Sequence, residues 1–223
     1  MYKLLARLLG WTAGREHIPP DVEKVFDRCV VVAAPHTSNW DAFFMLLATK
    51  SMKQPIRFII KKEWLKTPLG WLLSALGAIG IDRTPKTEGA PRPSVTQAMI
   101  QLFKENEKLT LAIAPEGTRQ YRPKWKTGFY QVAVEAGVPL VLARLDYKLK
   151  IANVDKVIYP TGNMEADFRE IMAHFAEVTP RHPERFCLDV TRSEVPEQKA
   201  PQTETVAEDD SEQSLELRSE SSS

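Results

Sequence analysis

The stretch CVVVAAPHTSNWDAFFMLL, residues 29–47, decides the fold. Its first part, Cys29 to Pro35, is short, β-branched and uncharged, as a strand buried on both faces must be. A polar loop follows, His36-Thr37-Ser38-Asn39-Trp40-Asp41. From Asp41 to Met52 apolar residues then recur at helical spacing, with Phe43, Phe44, Leu46 and Leu47 beside Met45 and Ala48. A buried strand, a loop and a helix in that order form the repeating unit of a parallel α/β sheet.

The same alternation continues outward. Ile56–Lys61 reads as a second strand, Leu69–Leu76 as a short apolar helix, and Ala78–Ile81 as a strand. An amphipathic helix over Ser94–Asn106 precedes the strand Leu109–Ala114. The helix Thr127–Ala136 stops at Gly137-Val138-Pro139. Strands over Leu140–Leu145 and Tyr147–Ala152, then a helix over Asn163–Val178, complete the pattern. We therefore expect one α/β domain over residues 21–190, with a largely parallel central sheet flanked by helices. The 223 residues, 43% of them hydrophobic, suffice for one such core. Two cysteines, Cys29 and Cys187, cannot build a disulfide framework and point to a reducing compartment.

The ends differ from this body. Residues 191–223 hold nine acidic and three basic residues and no aromatics, and are expected to be a disordered acidic tail. The net charge of +1 thus joins a basic body to an acidic tail, and a basic body calls for an anionic partner. Nucleic acid, a phosphorylated substrate and an anionic membrane all qualify. Residues 1–20 form an amphipathic segment, with Leu4, Leu5, Leu8, Leu9 and Trp11 on one side and Lys3 and Arg7 opposite. It reads either as a helix lying on lipid or as one packed on the domain's own core. No run reaches the about 20 apolar residues a spanning helix needs, and the first residues make a poor signal peptide.

In open α/β sheets ligands sit beyond the carboxyl ends of the strands. Three polar clusters fall there: after Pro35, after Ile81 and after Pro115. In the first, His36 can act as a base near neutral pH, with Asp41 steadying its ring. Five residues apart on one ideal helix would set the two about 140° apart, so the loop between them must turn. The bland alternative is that Asp41 only caps the helix with Ser38. In the third, Pro115-Glu116-Gly117-Thr118-Arg119, Gly117 lets backbone approach a ligand and Arg119 offers a fork suited to phosphate; a solvated turn with an Arg-Glu pair is the alternative. Lys124 and Lys126 follow closely. Arg83 ends the second, and Lys50, Lys53, Arg57, Lys61, Lys62 and Lys66 make the preceding surface basic. His174, near Glu170 and Glu177, reads as a surface ion pair. No nucleotide-binding glycine loop, zinc signature or serine elbow is present.

Taken in order, HTSNWD, GIDR, PEGTR and GVPLV resemble the four blocks of the glycerolipid acyltransferase family, that of the 1-acylglycerol-3-phosphate acyltransferases. The likeness spans about residues 30–145. It implies that His36 is the general base and Asp41 its orienting acid. It further implies that Arg83, Glu116, Gly117, Thr118 and Arg119, with Lys61, bind the acceptor. Two departures stand out: Ile79-Gly80-Ile81 where the second block usually carries an aromatic or bulky residue, and Ala143 where the fourth usually closes on proline.

The implied reaction moves a fatty acyl group from acyl-CoA or acyl-carrier protein to the hydroxyl of a lysophosphatidate-like acceptor. Neither metal nor cofactor is expected, and the partners would be a lysophospholipid and a membrane surface, with no nucleic acid. The expected location is cytoplasmic, peripheral on the inner face of the membrane. Other acceptors, such as glycerol 3-phosphate or another lysolipid, remain open, as do an acyl hydrolase and a non-catalytic lipid-binding module.

Overall fold

Residues 2–53, 55–82 and 94–189 are described by the computed structural model. The expected acidic tail and Arg83 lie outside the described residues. The elements in chain order are α1 (Tyr2–Leu8), α2 (Pro20–Val25), β1 (Arg28–Ala34), α3 (Asn39–Met52), β2 (Ile56–Lys61), α4 (Lys62–Leu65), α5 (Gly70–Ala75) and β3 (Ala78–Ile81). They continue with α6 (Val95–Glu105), β4 (Leu109–Ile113), α7 (Gly128–Ala136), β5 (Leu140–Asp146), β6 (Ile151–Ile158) and α8 (Met164–Ala176).

The sheet runs β3-β2-β4-β1-β5-β6. Every pairing is parallel except β5 with β6. β1 lies between β4 and β5, and a core layer covers each of its faces, which is why its sequence from Cys29 on is apolar without alternation. Val30, Val32 and Ala34 pack against the layer that includes Phe103 of α6, Phe129 of α7 and Phe168 of α8. Cys29 and Val31 face the opposite layer, with Val22 of α2 and Leu47 of α3. Cys29 is fully buried, which pushes its thiol up to about 12, and neither cysteine is in a disulfide.

Three expectations need correction. The stretch Tyr147–Ala152 is not one strand: residues 147–150 form a turn and β6 begins at Ile151. The Asp146 carboxylate accepts from the Leu149 amide at 2.8 Å, and Lys150 turns to φ 53°, so the chain reverses there. Trp11 does not join the N-terminal leucines. It is buried, stacked on Phe44 with ring centroids 4.0 Å apart. Ala6 is the buried residue of α1, and Leu4, Leu5, Leu8 and Leu9 face outward, Leu8 being 75% exposed.

His174, the third correction, makes no surface ion pair with Glu170 or Glu177. Its side chain is only 7% exposed, and Nε2 lies 3.3 Å from Asp155 of β6. Burial first, then the nearby charges of Arg144 and Lys156, press the imidazole down to about 4, so it is neutral at pH 7.

Candidate active site

The loop after β1 is fixed by the start of α3. Ser38 is the N-cap, and its hydroxyl accepts from the Trp40 amide at 3.2 Å. Asp41 is buried and folds back on the loop. Its Oδ2 accepts from the amides of Thr37 at 2.6 Å and Ser38 at 2.7 Å. The same Oδ2 stands 3.7 Å from Nδ1 of His36, beyond hydrogen-bond length but close enough for charge to act. The carboxylate that caps the helix is thus also the one that faces the imidazole.

His36 is held from the other side by the third cluster. Its amide donates to both carboxylate oxygens of Glu116, at 2.8 and 3.1 Å. Burial pushes Glu116 up to about 8; the His36 amide opposes this, and the negative charge of Asp41 adds to it. The His36 imidazole is lowered below its ordinary value, chiefly by burial, against the pull of Asp41 and with a further push from Arg119. It is thus poised to accept a proton at neutral pH.

A cavity of about 700 Å³ opens beside this pair. Its polar wall carries His36, Asp41, Gly117, Thr118, Arg119 and Lys126. Its apolar wall runs down α3 and the sheet past Met45, Leu46, Ile56 and Phe58, with Met99 of α6 opposite. Gly117 sits at φ +65°, where a side chain is strained, and a Cβ there would come within 2.6 Å of the Lys126 ammonium. The lysine stem therefore lies over the glycine. The Lys126 amide bonds the Pro115 carbonyl at 2.8 Å, and buried Trp125 anchors the loop through Asp189 at 3.0 Å and the Cys187 carbonyl at 2.9 Å.

The structure brings His36, Asp41, Gly117, Thr118 and Arg119 to one hollow. Glu116 turns to the backbone of His36 and does not line the wall. Lys61 is exposed at the carboxyl end of β2, also off the wall. Two contributors were not assigned from the sequence. Lys126 was visible as a nearby cation, but only the fold shows its stem lying over Gly117. Tyr147, whose hydroxyl donates to Oδ1 of Asp41 at 2.7 Å, is 106 residues distant and carries no local signal.

Residues 12–144 match the Acyltransferase family model. The chain belongs to the acyltransferase family. It is 29% identical over 138 residues to a 1-acyl-sn-glycerol-3-phosphate acyltransferase of Pseudomonas aeruginosa, covering 58% of this chain and 49% of that protein. It is 34% identical over 94 residues to the enzyme of the same description from Streptococcus pneumoniae, covering 42% of this chain and 33% of that one. The chain thus spans half or less of the length of these curated relatives. The solved 1-acyl-sn-glycerophosphate (LPA) acyltransferase of Thermotoga maritima superposes with a TM-score of 0.47 at 20% identity, over 78% of this chain and 72% of that one. The family match encloses His36, Asp41, Lys61, Arg83 and Glu116–Arg119, and ends before Tyr147.

Proposed function

We propose that this acyltransferase-family protein moves a fatty acyl group from acyl-CoA or acyl-carrier protein to the hydroxyl of lysophosphatidate or a close relative. The observation that carries the reading is the placement of His36, with Asp41 3.7 Å from its Nδ1, on the same cavity wall as Arg119. Nδ1 faces Asp41, which leaves Nε2 for the acceptor. The acceptor hydroxyl gives its proton to Nε2 while its oxygen attacks the thioester carbonyl carbon. The tetrahedral intermediate collapses, the C–S bond breaks, and the leaving thiolate takes the proton back from His36. The described wall contains neither serine nor cysteine, which favours direct transfer over a covalent acyl-enzyme.

Arg119 and Lys126 suit the acceptor phosphate, and neither forms an ion pair among the described residues. Arg83 and Lys61 are assigned to the same anion by family resemblance. Glu116 supports the site by holding the backbone of His36. The apolar wall suits a hydrocarbon chain.

A membrane surface as the source of the acceptor is supported by the exposed leucines of α1, by Trp40 and Phe43 near the site, and by Trp64, Leu69 and Trp71 of the α4–α5 region. No helix among the described residues is long and apolar enough to cross a membrane. A peripheral position on the cytoplasmic face fits the basic charge around Lys61, Lys62 and Lys66.

The test is a lipid mass-spectrometric assay with purified protein, mixed acceptors and both donors. His36→Ala is expected to lower kcat by about 10²–10⁴-fold, the usual range for a lost general base. Arg119→Ala is expected chiefly to raise the KM of phosphate-bearing acceptors. In the wild type, activity should decline as pH drops through a value below the ordinary 6.5 of imidazole, as Nε2 becomes protonated. Full turnover by His36→Ala overturns the mechanism. Fatty acid released without acceptor would instead mark a hydrolase, and vesicle binding without turnover a lipid-binding module.

A further inference from the structure

The segment beyond the family match reaches back into the site. Tyr147, in the turn after β5, donates its hydroxyl to Oδ1 of Asp41 at 2.7 Å. Oδ2 is already engaged by the amides of Thr37 and Ser38, so the tyrosine is the side-chain donor that fixes the other oxygen. The ring is itself held on three sides. Trp11 meets it edge-on at 5.0 Å, Phe44 lies edge-on at 6.0 Å, and the Arg181 guanidinium covers it at 5.7 Å. The Tyr147 amide is tied to the Thr179 carbonyl at 2.9 Å. Arg181 also covers Trp40 at 5.7 Å, and the next amide, His182, donates to the Thr37 hydroxyl at 3.3 Å.

We propose that Tyr147, braced by Arg181, is a positioning residue for the reaction: it sets the orientation and effective charge of Asp41 toward His36. The proposal rests on the general-base reading of His36. A carboxylate that accepts three hydrogen bonds has its charge shared among the donors, so less of it is felt by the imidazole. Removing the hydroxyl leaves Oδ1 without that donor and strengthens the pull of Asp41 on protonated His36. The charged and titratable groups around this cluster are Glu116, which feels Asp41, and Arg119, which acts on His36, both from the loop after β4, and Arg181 from the segment after α8, which acts on Tyr147.

The experiment uses Tyr147→Phe in the full chain, which keeps the ring and its packing. The His36 titration midpoint is read by NMR in the free protein, and kcat and KM are read in the acyltransferase assay. The expected result is a higher midpoint, an acid limb of kcat moved up with it, and kcat lowered about tenfold or more with KM of both substrates within about twofold. An unchanged midpoint overturns the proposal, even if kcat falls alongside a lower melting temperature, because that pattern marks a merely structural role. The NMR arm needs no substrate. A wild type that transfers no acyl group would count against the functional reading, while the titration would still decide whether Tyr147 is coupled to His36.

Discussion

Glu116 looks from the sequence like a ligand-binding acid, and in the structure it is a buried carboxyl wedged under the His36 backbone. Its position has a thermodynamic consequence. The folded-state value of about 8 exceeds the ordinary 4.5 of a glutamate, so between those limits Glu116 holds its proton more firmly in the native protein than in the unfolded chain. The share of stability that Glu116 contributes therefore falls as pH rises through that window. Glu116→Gln keeps an acceptor for the His36 amide and has no proton to lose. Relative to the wild type, its melting temperature should rise from pH 5 to pH 8. Parallel melting curves across that range would refute the assignment. This role was illegible in the sequence because PEGTR names the residue types and not their orientation. The closeness of His36 and Asp41 was legible because one short loop holds both.

The start of α3 carries two functions on the same few atoms. Ser38 caps the helix, and Asp41 closes the loop while facing the imidazole. Ser38→Ala should cost about 1 kcal/mol of stability. For a chain of this size that is a fall of about 2–4 °C in melting temperature, measurable by calorimetry. A melting temperature equal to the wild type would show that the hydroxyl contributes nothing to the cap. The central strands were readable because strands covered on both faces are apolar throughout, as in β1, and the boundaries of β2 and β3 match the sequence reading residue for residue. The β5–β6 turn was not readable. Its stretch Tyr147–Leu149 carries strand-compatible residue types, and the reversal depends on how Asp146 and Lys150 are placed. The four-residue α4 is a single turn, too short for any periodicity to emerge.

At the scale of the whole molecule, most of the large apolar side chains exposed among the described residues lie on or beside α1, α3 and the α4–α5 region, with Tyr121, Val134, Leu149 and Tyr159 elsewhere. Ala6 is the buried residue of α1, and its leucines are exposed. If they enter lipid, the double variant Leu4→Asp, Leu8→Asp should cosediment with anionic vesicles far less than the wild type and melt at a similar temperature. Equal cosedimentation would remove α1 from the membrane contact. The basic surface adds an electrostatic share, so binding should also weaken at high salt.

The stretch that follows α8 is tied to both loops of the candidate site. Arg181 and His182 touch the loop of Thr37 and Trp40, and Cys187 and Asp189 hold Trp125. A truncated version ending at residue 144, where the family match ends, would sever these ties and free both loops at once. Kinship marks out one length of polypeptide here, and mechanical integrity demands a longer one.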